Sequence, residues 1–139
     1  MAFLLDTCLI SEFFKKNSEI EVTEWFRRQI PETLFLSVLT IGELRKGLLR
    51  LPPSRKRDLI SVWIDEAKIR YDRRILNIDV NTSEVWARLR AQTESIGTPM
   101  SMIDSLIAAT AVNHGLTVAT RNIKDFERCG VATINPWRP

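Results

Sequence analysis

A chain of 139 residues, 45% apolar and 27% charged, has the size and composition of one ordinary folded domain. It holds no apolar run near the length of a membrane span, and MAFLLDTCLISEFF meets Asp6 too early for a signal-peptide core, so a cytoplasmic location and no membrane partner are expected. Twenty basic against seventeen acidic residues leave a net charge of +3, too small to argue for an anionic partner from total charge, although basic residues gather in 43–57 and 68–74.

In chain order, AFLLD is a short apolar run ending in an acid, and TCLISEFF follows as a helix starting near Thr7. In SEIEVTEWFRRQI, Val22, Trp25, Phe26 and Ile30 recur at helical spacing, and the helix stops before Pro31. LFLSV is a second strand. Thr40 is placed to cap the next helix with Glu43 three residues on, and Ile41, Leu44, Leu48 and Leu51 form its apolar stripe until Pro52-Pro53. A long basic helix follows, with Leu59, Ile60, Trp63, Ile64, Ala67 and Tyr71 facing a core. RILNIDV reads as a third strand, then a helix capped near Asn81 or Ser83 closes at Gly97. The apolar helix around Asp104 ends at Gly115, and LTVAT and VATIN supply two more strands. Strands alternating with helices predict an α/β fold with a mostly parallel sheet and helices on both faces.

The acids carry the chemistry. Ligands of open parallel sheets bind outside the carboxyl ends of the strands. Asp6 ends the first strand, Glu43 lies one turn into the helix after the second, Asp125 follows LTVATRN, and Asp104 lies one turn into its helix after GTPMS. Ile103, Leu106, Ile107, Ala108 and Ala111 leave little of that helix free, so Asp104 is expected to be largely buried, where a bare carboxylate needs donors, a proton or a cation. Carboxylates gathered at one edge repel unless a divalent ion holds them, and an all-oxygen set favours Mg²⁺ or Mn²⁺ over zinc. Taken singly, each acid also has a structural reading: Asp6 as a helix cap, Glu43 as the Thr40 capping-box partner, Asp104 in the field of a helix start, and Asp125 as a cap or surface residue. Thr7, Ser101 and Thr120 stand beside the acids as substrate-binding hydroxyls or as caps, and Arg121 as a phosphate contact or a surface cation. The single His114 sits at a helix end, which disfavours a histidine-based nuclease. Trp25, Trp63 and Trp86 fall on apolar stripes. Trp137, in the closing NPWRP, anchors the tail or meets a partner, and Cys8 and Cys129 fit no metal or disulfide spacing.

LLDTCLISE, LTIGELRKG, MIDSLIAATAVNHGLTVATRNIKDF and the closing NPW together resemble the PIN-domain nucleases over nearly the whole chain. Among these they are most similar to the VapC-type toxins of bacterial toxin–antitoxin pairs, including the plasmid-stability and FitB-like branch. The resemblance implies one PIN-like domain over residues 1–139, with a sheet of four to five strands, acting as a metal-dependent endoribonuclease. It implies that Asp6, Glu43 and Asp104 coordinate Mg²⁺, with Mn²⁺ as a substitute, and that Asn122 or Asp125 completes the catalytic set. An RNA substrate, a cognate antitoxin, a homodimer, and operator DNA met only through the antitoxin complex are further implications. Two departures stand out: the amide of Asn122 occupies the place of the family's last acid, and Cys8 follows the Asp-Thr pair where the family often has Asn. Two rival readings exist. A haloacid-dehalogenase-type phosphatase needs a second acid where this chain has Cys8, and a non-catalytic nucleic-acid-binding or regulatory PIN module would keep the fold without its acids, whereas all three core acids are present.

Overall fold

Five short strands, β1 (Phe3–Leu5), β2 (Leu34–Ser37), β3 (Ile75–Leu76), β4 (Thr117–Ala119) and β5 (Thr133–Ile134), form one parallel sheet in the order β3-β2-β1-β4-β5. These elements are taken from a computed structural model, which describes residues 1–138. The sheet is flanked by α1 (Thr7–Glu12), α2 (Ile20–Arg28), α3 (Val38–Leu49), α4 (Arg55–Arg70), α5 (Val80–Ser95), α6 (Met102–His114) and α7 (Ile123–Glu127). Among the described residues no helix is long and apolar enough to cross a membrane.

Strand alternation sorts the core into two layers. Phe3 and Leu5 point to one face, where Leu9, Ile10, Trp25, Leu44 and Ile64 pack, while Leu4 points to the other, with Ile107, Ala108, Val118 and Phe126. Covered on both faces, the central strands read as continuous apolar runs, as parallel strands do. β1 pairs with β2 on one side and β4 on the other, and the chain order reverses there. The carboxyl ends of β1 and β4 therefore flank the crevice where open α/β sheets bind ligands.

Several local expectations change. Ser37, not Thr40, caps α3 by accepting a hydrogen bond from Leu39 N at 3.0 Å, and Thr40 is buried inside the helix, so no capping box engages Glu43. Asp79, not Asn81 or Ser83, caps α5, accepting from the Thr82 amide and hydroxyl at 2.8 and 2.9 Å. The third strand shrinks to Ile75–Leu76 because β2 offers it only Leu36 and Ser37 before turning into α3. Leu59 is exposed, whereas Ile60, Ile64, Ala67 and Tyr71 of the same stripe are buried. Trp25 is buried, and Trp63 and Trp86 are partly buried against the two layers. Gly115 takes the left-handed conformation after α6, at φ +65°.

One buried acid gave no signal in the sequence. Glu12, 1% exposed at the end of α1, accepts the Glu19 amide at 2.9 Å and has the Lys15 ammonium 2.8 Å from Oε2 as an ion partner, without a well-aligned hydrogen bond on that oxygen. Burial pushes its carboxyl upward, but Lys15 and the Glu19 amide outweigh that and hold it below its ordinary value. It ties α1 to the start of α2.

Candidate active site

The site grows out of the first strand. Asp6 leaves β1 with its amide bonded to Ala119 O of β4 at 3.0 Å, so the backbone itself sets the side chain at the β1/β4 crevice. One carboxylate oxygen caps α1 through Thr7 N at 2.9 Å. The other accepts the Thr120 hydroxyl at 2.7 Å and the Cys8 thiol at 3.5 Å. Capping and a site role are thus compatible: Asp6 is 8% exposed, anchored by donors, and still on the open edge.

Thr7 does not cap. Its hydroxyl donates to Glu43 Oε1 at 2.7 Å and lies 3.5 Å from Thr40 Oγ1, which draws the Glu43 carboxylate from α3 toward β1. On the other side, Thr120 Oγ1 accepts the Asn122 amide at 3.0 Å while donating to Asp6, so a continuous chain runs from Asp6 through Thr120 to the start of α7. Asn122 itself is exposed and makes no side-chain capping bond, and Asp125 lies on α7, half-buried. Ser101 caps α6 by accepting Asp104 N at 3.2 Å, so its structural reading holds.

Asp104 is half-buried, not largely buried as its flanking residues suggested. Ile103, Ile107, Ala108 and Ala111 pack into the core layer on the Leu4 face, whereas Ser101 and Met102 at the start of α6 are exposed. Burial first, then the charges of Asp6, Asp125 and Glu43, push the Asp104 carboxyl above its ordinary value, against the Ser101 hydroxyl, which lowers it. Three other acids therefore bear on this one group, and four carboxylates share an edge. Beside them, burial and then the Asp6 charge push the Cys8 thiol up to about 11, leaving it a neutral hydrogen-bond donor at neutral pH.

Among the described residues no three His, Cys, Asp or Glu side chains stand as close as a closed metal centre requires. The donor set nevertheless fits a hard divalent cation: it is all oxygen, it is mutually repulsive at Asp104, and it faces an open edge. Arg121, exposed directly after Thr120, lies over the Trp137 ring with its guanidinium carbon 5.6 Å from the ring centre. The Trp137 ring packs partly against the core, so the anchoring role holds.

Comparison with known proteins returns one consistent picture. The PIN-domain family model matches residues 3–131. The chain is 39% identical to the VapC ribonuclease Y4jK of Sinorhizobium fredii over 98% of each chain, and 34% identical to toxin FitB of Neisseria gonorrhoeae over 96% of this chain and 97% of FitB. Its fold superposes on a chain of FitAB bound to an IR36 DNA fragment with a TM-score of 0.91 and 32% identity, covering 97% of this chain and 95% of that one.

Proposed function

The chain belongs to the PIN-domain family, and from that premise we propose that it is a Mg²⁺- or Mn²⁺-dependent endoribonuclease, the toxin of a bacterial toxin–antitoxin pair. The observation that carries the chemistry is the placement of Asp6, Glu43 and Asp104 at one edge of the sheet's switch point, where burial first and then the charges of Asp6, Asp125 and Glu43 disfavour an ionised Asp104. Asp6, Glu43 and Asp104 would hold the ion, with Asn122 or Asp125 as outer support. When bound, a divalent ion there supplies positive charge to the phosphodiester and to the attacking water. The chain's own residues do the rest. Thr120 and Thr7 hold the Asp6 and Glu43 carboxylates in place, Cys8 donates to Asp6 as a neutral thiol, and Arg121 offers the RNA an exposed cation on the open side. On this reading the chain is a cytoplasmic toxin that forms a homodimer, binds an antitoxin protein and reaches DNA only through that complex; the likeness to toxin FitB and to a chain of FitAB bound to DNA supports the toxin role and the antitoxin complex.

The decisive test is cleavage of RNA by the purified protein. Mg²⁺ or Mn²⁺ is expected to support it, EDTA to silence it, and Asp6→Asn to abolish it, with one cut position emerging when RNA 5′ ends are sequenced after brief induction without antitoxin. Equal cleavage in chelator with a cyclic-phosphate product would reject the metal-dependent reading. RNA binding that persists without any cleavage would favour the non-catalytic module.

A further inference from the structure

Next to the acid edge, at the carboxyl ends of β4 and β5, lies an open cleft of about 590 Å³ that the acids do not account for. Its lining combines Arg121, Lys124 and Arg138 with Asn122, Asn135 and Trp137; Asp125 and Glu127 are the acids that share it. We propose that this cleft is a subsite for one single-stranded RNA nucleotide flanking the bond that is cut, with its base stacked on the Arg121 guanidinium and its phosphate met by Lys124 and Arg138. The inference rests on the ribonuclease reading and adds to it a place where the substrate's sequence is sensed.

Three observations carry it. The first is continuity. Asp6 and the cleft are two hydrogen bonds apart, from Asp6 to Thr120 at 2.7 Å and from Thr120 to the amide of Asn122 at 3.0 Å, and Asn122 lines the cleft. The cleft therefore adjoins the acid edge, on the side where a nucleotide next to a phosphate held at the acids would lie.

The second is order in the cationic wall. Trp137 N donates to Asn135 Oδ1 at 2.9 Å and Arg138 N to Asn135 O at 3.0 Å, while Pro136 is buried and the indole packs on the core. This tight tail holds the indole face under Arg121, so the guanidinium is held in position while the residue stays exposed. A planar guanidinium presented this way is a stacking surface that a lysine cannot imitate, and single-stranded RNA is recognised by stacking on aromatic and arginine planes.

The third is polarity. The wall is mainly polar and charged, unlike the aromatic cavity of about 330 Å³ between α2 and α4, which Phe13, Phe26, Trp63 and Tyr71 line. The Trp137 indole N–H is also shielded and finds no acceptor among the described residues.

The test uses the full-length protein with Mg²⁺ and a randomised 12-nucleotide single-stranded RNA, reading nucleotide preference around the cut, and then steady-state kinetics on one oligonucleotide that the wild type cleaves. Arg121→Ala is expected to raise KM about 10-fold with little change in kcat, and to flatten the preference at one position beside the cut. Arg121→Lys is expected to recover part of the KM but none of the preference, with thermal melts showing each variant folded. Arg28→Ala, exposed at the end of α2, is the charge control and should change neither value. An Arg121→Ala protein that cleaves with unaltered KM and unaltered preference would overturn the subsite and leave the ribonuclease reading standing. The same unaltered cleavage with lost inhibition by an antitoxin protein would reassign the cleft to a peptide. A wild type that cleaves no RNA in Mg²⁺ or Mn²⁺ would overturn the parent reading and the subsite with it.

Discussion

The two sides of the acid edge are held in different ways. On the Asp6 side, Asp6 accepts hydrogen bonds from Thr7 N, Thr120 and Cys8, and Glu43 accepts one from Thr7, so the carboxylates are fixed by donors that belong to the fold. On the Asp104 side, a half-buried acid faces the charges of Asp6, Asp125 and Glu43 with the Ser101 hydroxyl as counterweight, and Asn122 stands exposed nearby. One side is stabilised by being a site. The other is strained by it, because desolvation and like charges both disfavour an ionised Asp104. A cation is needed for the second side far more than for the first, and the fold carries that electrostatic cost until one binds.

The largest effect that can break this comparison is a contrast between two substitutions. Asp6→Ala and Asp104→Asn are both expected to abolish cleavage, yet their effects on the metal-free protein should have opposite signs. Asp6→Ala removes the α1 cap and the acceptor of a fully buried Thr120 hydroxyl, a cost of about 1–3 kcal/mol. At this chain length that is a fall of roughly 3–10 °C in Tm. Asp104→Asn removes repulsion and keeps the shape, so its Tm in EDTA should equal or exceed that of the wild type. Titrated Mg²⁺ should raise the wild-type Tm by mass action and that of Asp104→Asn much less. Equal destabilisation by both changes, with an intact Mg²⁺ response in Asp104→Asn, would show that Asp104 is a structural acceptor.

Thr120→Val sharpens the comparison, since Thr120 joins the two sides. Valine keeps the volume but removes the donor to Asp6 and the acceptor for the Asn122 amide. Loss of such an orienting partner is expected to weaken Mg²⁺ binding, read as a rise of about 10–100-fold in the ion concentration giving half-maximal rate. The Tm should fall by less than with Asp6→Ala. An unchanged Mg²⁺ dependence would mean that the backbone bond to Ala119, the Thr7 amide and the Cys8 thiol suffice to position Asp6.

Much of this was legible in the sequence, for identifiable reasons. Apolar runs that end in acids mark strand ends at a binding edge whatever the rest of the fold does, so Asp6 and the sheet class followed from local pattern. Thr40 and Glu43 had the right spacing for a capping box, but the helix starts three residues earlier than that pattern requires, at a Ser37 that is both the last strand residue and the cap. Asp104 read as buried because periodicity reports neighbours along a helix and not where the crevice opens. The Arg121–Trp137 cleft left no local trace, since it exists only where the end of β5 comes alongside the end of β4. Glu12 escaped notice for a related reason: Lys15 is a local i,i+3 neighbour, but the Glu19 amide reaches the carboxylate only once the chain turns from α1 into α2.

The smallest effect concerns pH and isolates the strained side. Burial and like charges raise the Asp104 pKa in the folded chain above its ordinary 3.8, whereas the unfolded chain keeps the ordinary value. Between those two values the folded state binds more protons than the unfolded one, so stability falls as pH rises through that window and the penalty is complete above it. In EDTA, the Tm advantage of Asp104→Asn over the wild type should therefore be greatest at neutral pH and shrink as the pH drops into the acidic range. It should vanish only below the ordinary aspartate value, where the wild-type carboxyl is protonated in both states. Because Asp104 is only half-buried and solvent screens it, the difference should be a few degrees at most and should diminish further in high salt. Saturating Mg²⁺ should reverse the slope, since protons then compete with the ion for the same oxygens. A pH-independent gap between the two proteins in EDTA would assign the difference to packing at the start of α6 and remove the electrostatic contrast between the two sides.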